Sequence, residues 1–170
     1  MPQRDDLDLA RVLLARASGD ETIVRKAVDD ADIDDWVAGF HGQQSTEKLI
    51  KAVLAARGVA FAKSHSLRYL IGLVNNNQID APEELAEADV LSPWAVEFRY
   101  EGEAPPALDR AGSLALVEKL RAWAEHEIET AGASRADGDE VRDTQNDAQN
   151  SESERPDAAS SQAPGPPGRD

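Results

Sequence analysis

The sequence predicts an all-α protein, an antiparallel up-and-down bundle of four to five helices followed by a disordered acidic C-terminal tail. Through the first 131 residues, apolar side chains recur at helical spacing, and no convincing pair of strands is present. The segments between these periodic stretches are short, which favours antiparallel neighbours. The chain is therefore expected to divide into a helical bundle domain, residues 1–131, and a tail, residues 132–170.

The first two helices are predicted from their apolar stripes. One stripe runs from about Arg4 to Asp29, with a break at Gly19 as the alternative, since Gly weakens a helix by about 1 kcal/mol relative to Ala. The second helix is expected from about Ile33 to Arg57. Gly58 follows it and is a natural C-terminal stop.

Three further helical regions are expected in the second half of the domain. The third helix starts near Ser66 and ends in the asparagines at 75–77. A fourth region begins at Ala81-Pro82, where proline suits a first helical turn, and Ser92-Pro93 is a candidate break. The last helix is expected to have Asp109 as its N-cap and to run to about Thr130.

Composition excludes several classes of function. The chain has no Cys, so disulfides and thiolate metal sites are excluded, and neither a metal nor a cofactor is expected. No apolar run reaches the roughly 18 residues of a membrane span, and the N-terminus lacks a signal core, so a cytoplasmic protein is expected. A net charge of −15 argues against broad electrostatic attachment to nucleic acid or anionic lipid, and binding to DNA or to a membrane is not expected. A local basic pocket stays open.

The predicted tail contains almost no large apolar residues. Residues 132–170 contain nine acidic residues, four arginines, no aromatic residue and one large aliphatic residue, Val141. Such a segment cannot bury enough apolar surface to offset its ordering entropy, so it is expected to be disordered.

The run from Phe40 to Leu54, FHGQQSTEKLIKAVL, carries polar groups where a core helix would carry apolar ones. Gln43 and Glu47 fall in its apolar stripe. A neighbouring row at helical spacing contains four more polar residues, His41, Gln44, Lys48 and Lys51. Because an unpaired buried polar group costs about 1–3 kcal/mol, this pattern indicates a polar network or a site. The alternative is a solvated face, on which Glu47 and Lys51 form a surface ion pair worth about 0.2–0.5 kcal/mol.

Three segments together resemble the HEPN domain family. The first is HGQQSTEKLIKAVLAARGV, residues 41–59, in which an amide pair, a Glu-Lys pair and a further Lys precede a glycine stop. The second is Ser64-His65-Ser66-Leu67, which is similar to the family element that opens the third helix. The third comprises Ser92-Pro93-Trp94 and Phe98-Arg99-Tyr100, although Glu101 stands where the family often has Pro. The resemblance covers about residues 5–130.

The resemblance implies a helical bundle that pairs as a homodimer. Many bacterial members are similar to ribonuclease toxins and work beside a minimal nucleotidyltransferase as antitoxin, while others bind nucleotides. Catalytic members carry an Arg-x4–6-His motif, in which His acts as general base or acid on the 2′-hydroxyl and Arg stabilises charge on the phosphate. Such cleavage needs no metal.

Arg121 and His126 have the spacing of that motif and are the candidate catalytic pair. On a continuous helix they lie about 140° apart, so they point to different faces. The alternative interpretation is two exposed residues flanking Trp123, which packs in the core.

The remaining candidates each have two interpretations. His65 either caps or braces the third helix or joins a site, and His41 either lies on a polar face or faces a phosphate together with Lys48 and Lys51. Arg99, which is followed by Tyr100, either pairs with Glu47 or holds a nucleotide or RNA phosphate.

Three functions therefore remain open. The first is a dimeric HEPN protein that binds a nucleotide or RNA and partners a nucleotidyltransferase in a toxin–antitoxin or defence-like system. The second is a metal-independent ribonuclease toxin. The third is a non-catalytic helical interaction scaffold. It would be favoured if Lys48, Lys51 and Arg99 all form ion pairs with carboxylates inside the domain.

Overall fold

The computed structural model describes the backbone of residues 4–95 and 107–153, and the side chains of residues 5–95 and 107–136. All the regular secondary structure of the described residues is helical, which confirms the all-α prediction. It contains α1 (Arg4–Asp29), α2 (Asp35–Ala56), α3 (Leu67–Asn76), a 3₁₀ segment (Glu83–Trp94) and α4 (Arg110–Ser153). No strand occurs in these residues, and none of their helices is long and apolar enough to span a membrane.

The chain divides into two compact units, Met1–Ser134 and Arg135–Asp170. In the first unit α2 is the central element, because it is buried along most of its length and packs extensively against α1. The main core draws side chains from all five helical elements, among them Ala17, Leu54, Leu70, Leu91 and Leu120. Polar residues on α2 therefore lie inside the domain, which positions the site described below.

Helix α1 is continuous through Gly19 and has the predicted bounds. Both of its halves bury apolar residues, Leu7 and Ala10 on one side of Gly19 and Val24 and Ala27 on the other. Their packing outweighs the cost of about 1 kcal/mol for one glycine in a helix. The alternative break at Gly19 is therefore wrong.

The ends of α2 and α3 are set by their capping residues. The Asp34 carboxylate accepts a hydrogen bond from the Trp36 backbone N–H at 2.7 Å and starts α2. Gly58 has a φ of 68°, a left-handed conformation that suits glycine, and it ends α2 as predicted. Ser66 caps α3 by accepting from the Tyr69 backbone N–H at 3.3 Å.

The fourth region is a 3₁₀ segment that passes through Pro93, so the candidate break at Ser92-Pro93 is wrong. Its buried residues recur every third position, and these are Leu85, Ala88, Leu91 and Trp94. A 3₁₀ helix has three residues per turn, so this spacing places all four on one face toward the core. The Trp94 ring lies 5.8 Å from the Trp36 ring, centroid to centroid, and packs directly on Gly39.

Helix α4 begins as predicted and extends further than predicted. The Asp109 carboxylate accepts from the Gly112 backbone N–H at 2.9 Å, as an N-cap does. The sequence predicted an end near Thr130, whereas the helical backbone continues to Ser153. No proline occurs between Pro106 and Pro156, so no proline stops the helix earlier. The domain boundary at residue 131 and the disorder of the tail stay predictions, and residues 154–170 lie outside the described residues.

Arg110, the first residue of α4, forms hydrogen bonds with the segment that joins α1 to α2. Its guanidinium donates to the Asp35 carboxylate at 2.6 Å and to the backbone carbonyls of Ala27, Asp30 and Ile33 at 2.6, 2.9 and 2.8 Å. Carbonyls near the end of a helix lack partners within the helix, so a cation there supplies donors that the backbone cannot.

Candidate functional site: a polar network along α2

A buried carboxylate is the centre of the site. Glu47 on α2 is 4% exposed. Its Oε1 accepts from Lys51 Nζ at 2.7 Å, and its Oε2 accepts from Gln43 Nε2 at 3.1 Å. His65 Nδ1 lies 3.1 Å from each of the two oxygens. Three side chains therefore satisfy the carboxylate, and Lys51 balances its charge.

A second carboxylate, Asp20 on α1, holds a similar arrangement. Its Oδ1 lies 2.8 Å from His41 Nδ1, and its Oδ2 accepts from Lys48 Nζ at 2.7 Å. In both arrangements one carboxylate contacts the Nδ1 atom of a histidine and the ammonium of a lysine. The bundle thus contains two Asp/Glu–His–Lys groups that share helix α2.

The amide pair joins the two groups. Gln44 Nε2 donates to Gln43 Oε1 at 2.8 Å, while Gln44 Oε1 accepts from Lys48 Nζ at 3.1 Å. Gln43 also donates to the backbone carbonyl of His65 at 3.2 Å, which fixes the loop before α3. We call this connected set the α2 polar network; its members are Asp20, His41, Gln43, Gln44, Glu47, Lys48, Lys51 and His65.

The network has a buried interior and a partly exposed edge. Gln43 and Glu47 are buried, whereas the side chains of Lys51 and His65 are 13% and 62% exposed. Lys48 and His41 are intermediate. The structure thus brings the predicted polar residues of α2 into contact with one another, and the solvated-face alternative does not account for the burial of Glu47.

Asp20 is the member that sequence reasoning missed, and a signal for it exists. The apolar stripe of α1 passes through Ala17 and Val24, and helical spacing places Asp20 and Glu21 between them. Two adjacent acids in a core stripe indicate buried partners, by the same logic that identified Glu47. Glu21 is indeed 4% exposed.

Arg121, one of the two candidate catalytic residues, forms an ion pair with Glu21. Arg121 Nε is 2.8 Å from Glu21 Oε2, and its Nη1 is 3.1 Å from Glu125 Oε1 on the same helix. His126 is exposed, and among the described residues no hydrogen bond or ion pair joins it to Arg121. Trp123 between them is buried, and its Nε1 donates to the Asp80 carbonyl at 2.7 Å. Within this chain the two residues of the candidate catalytic pair are not brought together.

Two predicted site residues, Arg99 and Tyr100, lie outside the described residues. The predicted ion pair between Arg99 and Glu47 is therefore not among the described contacts, and Lys51 alone already provides a counter-charge to Glu47. Among the described residues, no group of three or more His, Cys, Asp or Glu side chains is arranged to hold a metal ion.

The arrangement can bind anions and move protons. When a carboxylate accepts from the Nδ1 proton of a histidine, the lone pair of that ring is on Nε2 and faces away from the acid. The lysines place ammonium groups beside these rings in a partly dehydrated position, where charge interactions are stronger than in bulk water.

The fold and this network together define a helical bundle with a buried polar centre on its second helix. A family model of the HEPN domain matches residues 10–131, which is more than half of the chain. The chain therefore belongs to the HEPN domain family. Comparison with curated proteins and with solved structures finds no match.

Proposed function

We propose that this HEPN protein binds a nucleotide or RNA through the exposed edge of the α2 polar network. The observation that carries the proposal is the pairing of two lysines and two histidines with two acids, the buried Glu47 and the partly buried Asp20. This pairing holds four groups that can contact a phosphate in fixed positions. Such pre-organisation lowers the ordering entropy that a ligand must otherwise overcome.

Lys51 is the best placed of these groups for a phosphate. Its ammonium has three donors, and among the described residues one of them is used, by Glu47. It also lies 6.0 Å from the centroid of the Phe61 ring, so an aromatic surface is beside the cation. A nucleotide offers both a phosphate for the ammonium and a base that can stack on an aromatic ring.

Membership in the HEPN family supports the remaining parts of the proposal. Members of the family commonly pair as homodimers and work beside a minimal nucleotidyltransferase, so we propose that this chain is a cytoplasmic homodimer within a toxin–antitoxin or defence-like system. Light scattering of the full chain tests the dimer, which predicts twice the chain mass of 18.4 kDa.

One observation favours a different candidate, a non-catalytic interaction scaffold. Lys48 and Lys51 are both paired with internal carboxylates, as expected for a network that only stabilises the bundle. The ribonuclease alternative based on Arg121 and His126 has less support, because Glu21 and Glu125 already occupy the Arg121 guanidinium.

Binding measurements separate the proposal from the scaffold. Fluorescence anisotropy of labelled single-stranded RNA, and competition by nucleoside triphosphates, would be compared for the wild type and Lys51→Gln. The control is Lys119→Gln, because Lys119 also pairs with one carboxylate, that of Glu84, and lies outside the α2 polar network. Loss of one charged hydrogen bond worth about 1.5 kcal/mol predicts affinity about tenfold weaker for Lys51→Gln and unchanged for the control.

The scaffold makes the opposite prediction. If neither RNA nor nucleotide binds, or if both lysine variants bind as the wild type does, the polar network is structural. Thermal unfolding of each variant shows whether a loss of binding merely reflects a loss of folded protein.

A further inference from the structure

A cavity lies between the end of the 3₁₀ segment and the start of α4, and we call it the 3₁₀–α4 cavity. Its volume is about 280 Å³, and none of its lining residues belongs to the α2 polar network. Much of its wall is apolar and is formed by buried side chains, among them Leu91, Trp94 and Leu116. The polar side chains that line it are those of Glu87, Asp109 and Ser113.

One of these polar side chains is buried and has no partner. Ser113 on α4 is 7% exposed. Its backbone N–H donates to the Asp109 carbonyl at 2.9 Å, but no described residue forms a hydrogen bond with its hydroxyl. Buried hydroxyls in proteins normally have a partner. The Ser113 hydroxyl is therefore available to a molecule inside the cavity.

The charged groups that line the cavity are both acidic. The Asp109 carboxylate accepts from the Gly112 backbone N–H at 2.9 Å and faces the positive end of α4. Glu87 is exposed, and no described residue forms a hydrogen bond with its carboxylate. Glu87 is thus the acid that remains available to a cation.

No described cation already occupies this position. Among the described lining residues there is no lysine, arginine or histidine. The Lys119 ammonium, which Glu87 also attracts, is hydrogen-bonded to Glu84 and does not line the cavity. The charges of the lining therefore favour a cationic ligand and disfavour an anionic one.

The volume limits the size of such a ligand. An apolar cavity of roughly 150 Å³ holds benzene, and sites for drug-sized ligands begin at about 300 Å³. The 280 Å³ available here therefore suits one aromatic ring or a branched aliphatic group on a short chain. Trp94 provides an aromatic surface for that group.

We infer that the 3₁₀–α4 cavity binds a small organic ammonium ion with an apolar body. The body packs against Trp94 and Leu116, and the ammonium donates to Glu87, with the Ser113 hydroxyl as a further acceptor. A primary ammonium has three donors, so it can satisfy both groups. The site is independent of the proposed binding of a nucleotide or RNA, so each can fail without the other.

The test is an NMR titration of the isotope-labelled full chain with three ligands of similar shape, followed through the tryptophan indole N–H signals. Phenethylamine carries the ammonium, phenethyl alcohol is neutral and hydrocinnamate is an anion. We expect phenethylamine to shift the Trp94 signal, to saturate in the millimolar range, and to bind about tenfold more tightly than the alcohol, as one charged hydrogen bond provides. Hydrocinnamate should bind most weakly.

One signal and one variant serve as controls. The Trp123 indole N–H is bonded to the Asp80 carbonyl, does not line the cavity and should not move. Glu87→Gln changes an exposed residue and should weaken phenethylamine about tenfold while leaving phenethyl alcohol unchanged. Glu83→Gln should bind both as the wild type does, because Glu83 is exposed on the same segment but does not line the cavity.

Three results overturn the inference. The first is equal affinity for the amine and the alcohol, or tighter binding of hydrocinnamate than of either, because the charge of the lining then selects nothing. The second is an unchanged affinity for phenethylamine in Glu87→Gln. The third is a Trp94 signal that none of the ligands moves, because the cavity then admits no ligand of this class.

Discussion

The ion pair between Glu47 and Lys51 gives a quantitative test of the buried network. The two residues are four positions apart on α2, and an exposed pair at that spacing contributes about 0.2–0.5 kcal/mol. Here their side chains are 5% and 13% exposed. Breaking a fully buried pair costs about 3–5 kcal/mol, and the remaining exposure of Lys51 reduces this, so we expect a coupling energy of about 2 kcal/mol.

A double-mutant cycle measures that coupling. Glu47→Gln, Lys51→Met and the double variant would be unfolded in urea and followed by tryptophan fluorescence, in which about 2 kcal/mol moves the midpoint by about 1 M. The matched control is the exposed helical pair Asp8 and Arg11, whose coupling should not exceed about 0.5 kcal/mol. A Glu47–Lys51 coupling as small as that of the control pair would refute the burial of the network.

Three other predictions concern the frame around the site. Arg110→Ala removes two half-buried bonds to backbone carbonyls and should lower the free energy of unfolding by about 3 kcal/mol in urea denaturation; an effect below about 1 kcal/mol would contradict its role. A Cβ at residue 39 would overlap the indole ring of Trp94, so Gly39→Ala should lower the free energy of unfolding in urea by about 1–3 kcal/mol. A Cβ at Gly72 meets open space, so Gly72→Ala should not lower it. Hydrogen bonds from the Ser92 hydroxyl and then the Arg68 guanidinium lower the pKa of Asp89. The ionised Asp89 therefore stabilises the fold above its unfolded-state pKa, and this stabilisation is lost as pH falls through its folded-state pKa. Acid titrations of Asp89→Asn should therefore show a weaker loss of stability below about pH 4 than the wild type, by less than about 1 kcal/mol.

The helices that carry clear amphipathic stripes could be predicted from the sequence. The bounds of α1 match because its stripe is continuous on both sides of Gly19, and the end of α2 is marked by Gly58. The 3₁₀ segment was not predicted as such, although its apolar residues recur every third position. That spacing also occurs within an α-helical pattern, so a short stretch does not separate the two.

The site could be predicted only where its residues lie on one helix. Gln43 and Glu47 are conspicuous because polar groups interrupt an apolar stripe, and the contacts of Glu47 with Gln43 and Lys51 follow from helical spacing. The contacts of Asp20 and His65 with α2 depend on how three elements pack, which spacing along one helix does not specify. The separation of Arg121 from His126 could be anticipated from helical geometry, but the capture of Arg121 by Glu21 depends on the packing of α1 against α4.

The most direct test of the account uses the three histidines of the chain as reporters. Two of them, His41 and His65, belong to the α2 polar network, and His126 is exposed on α4. Imidazole resonances would be followed by NMR while a 2′-O-methyl RNA oligonucleotide is added to the full chain. We predict shifts for His65 and His41 and none for His126. Shifts confined to His126, or none at all, would contradict binding at the α2 polar network.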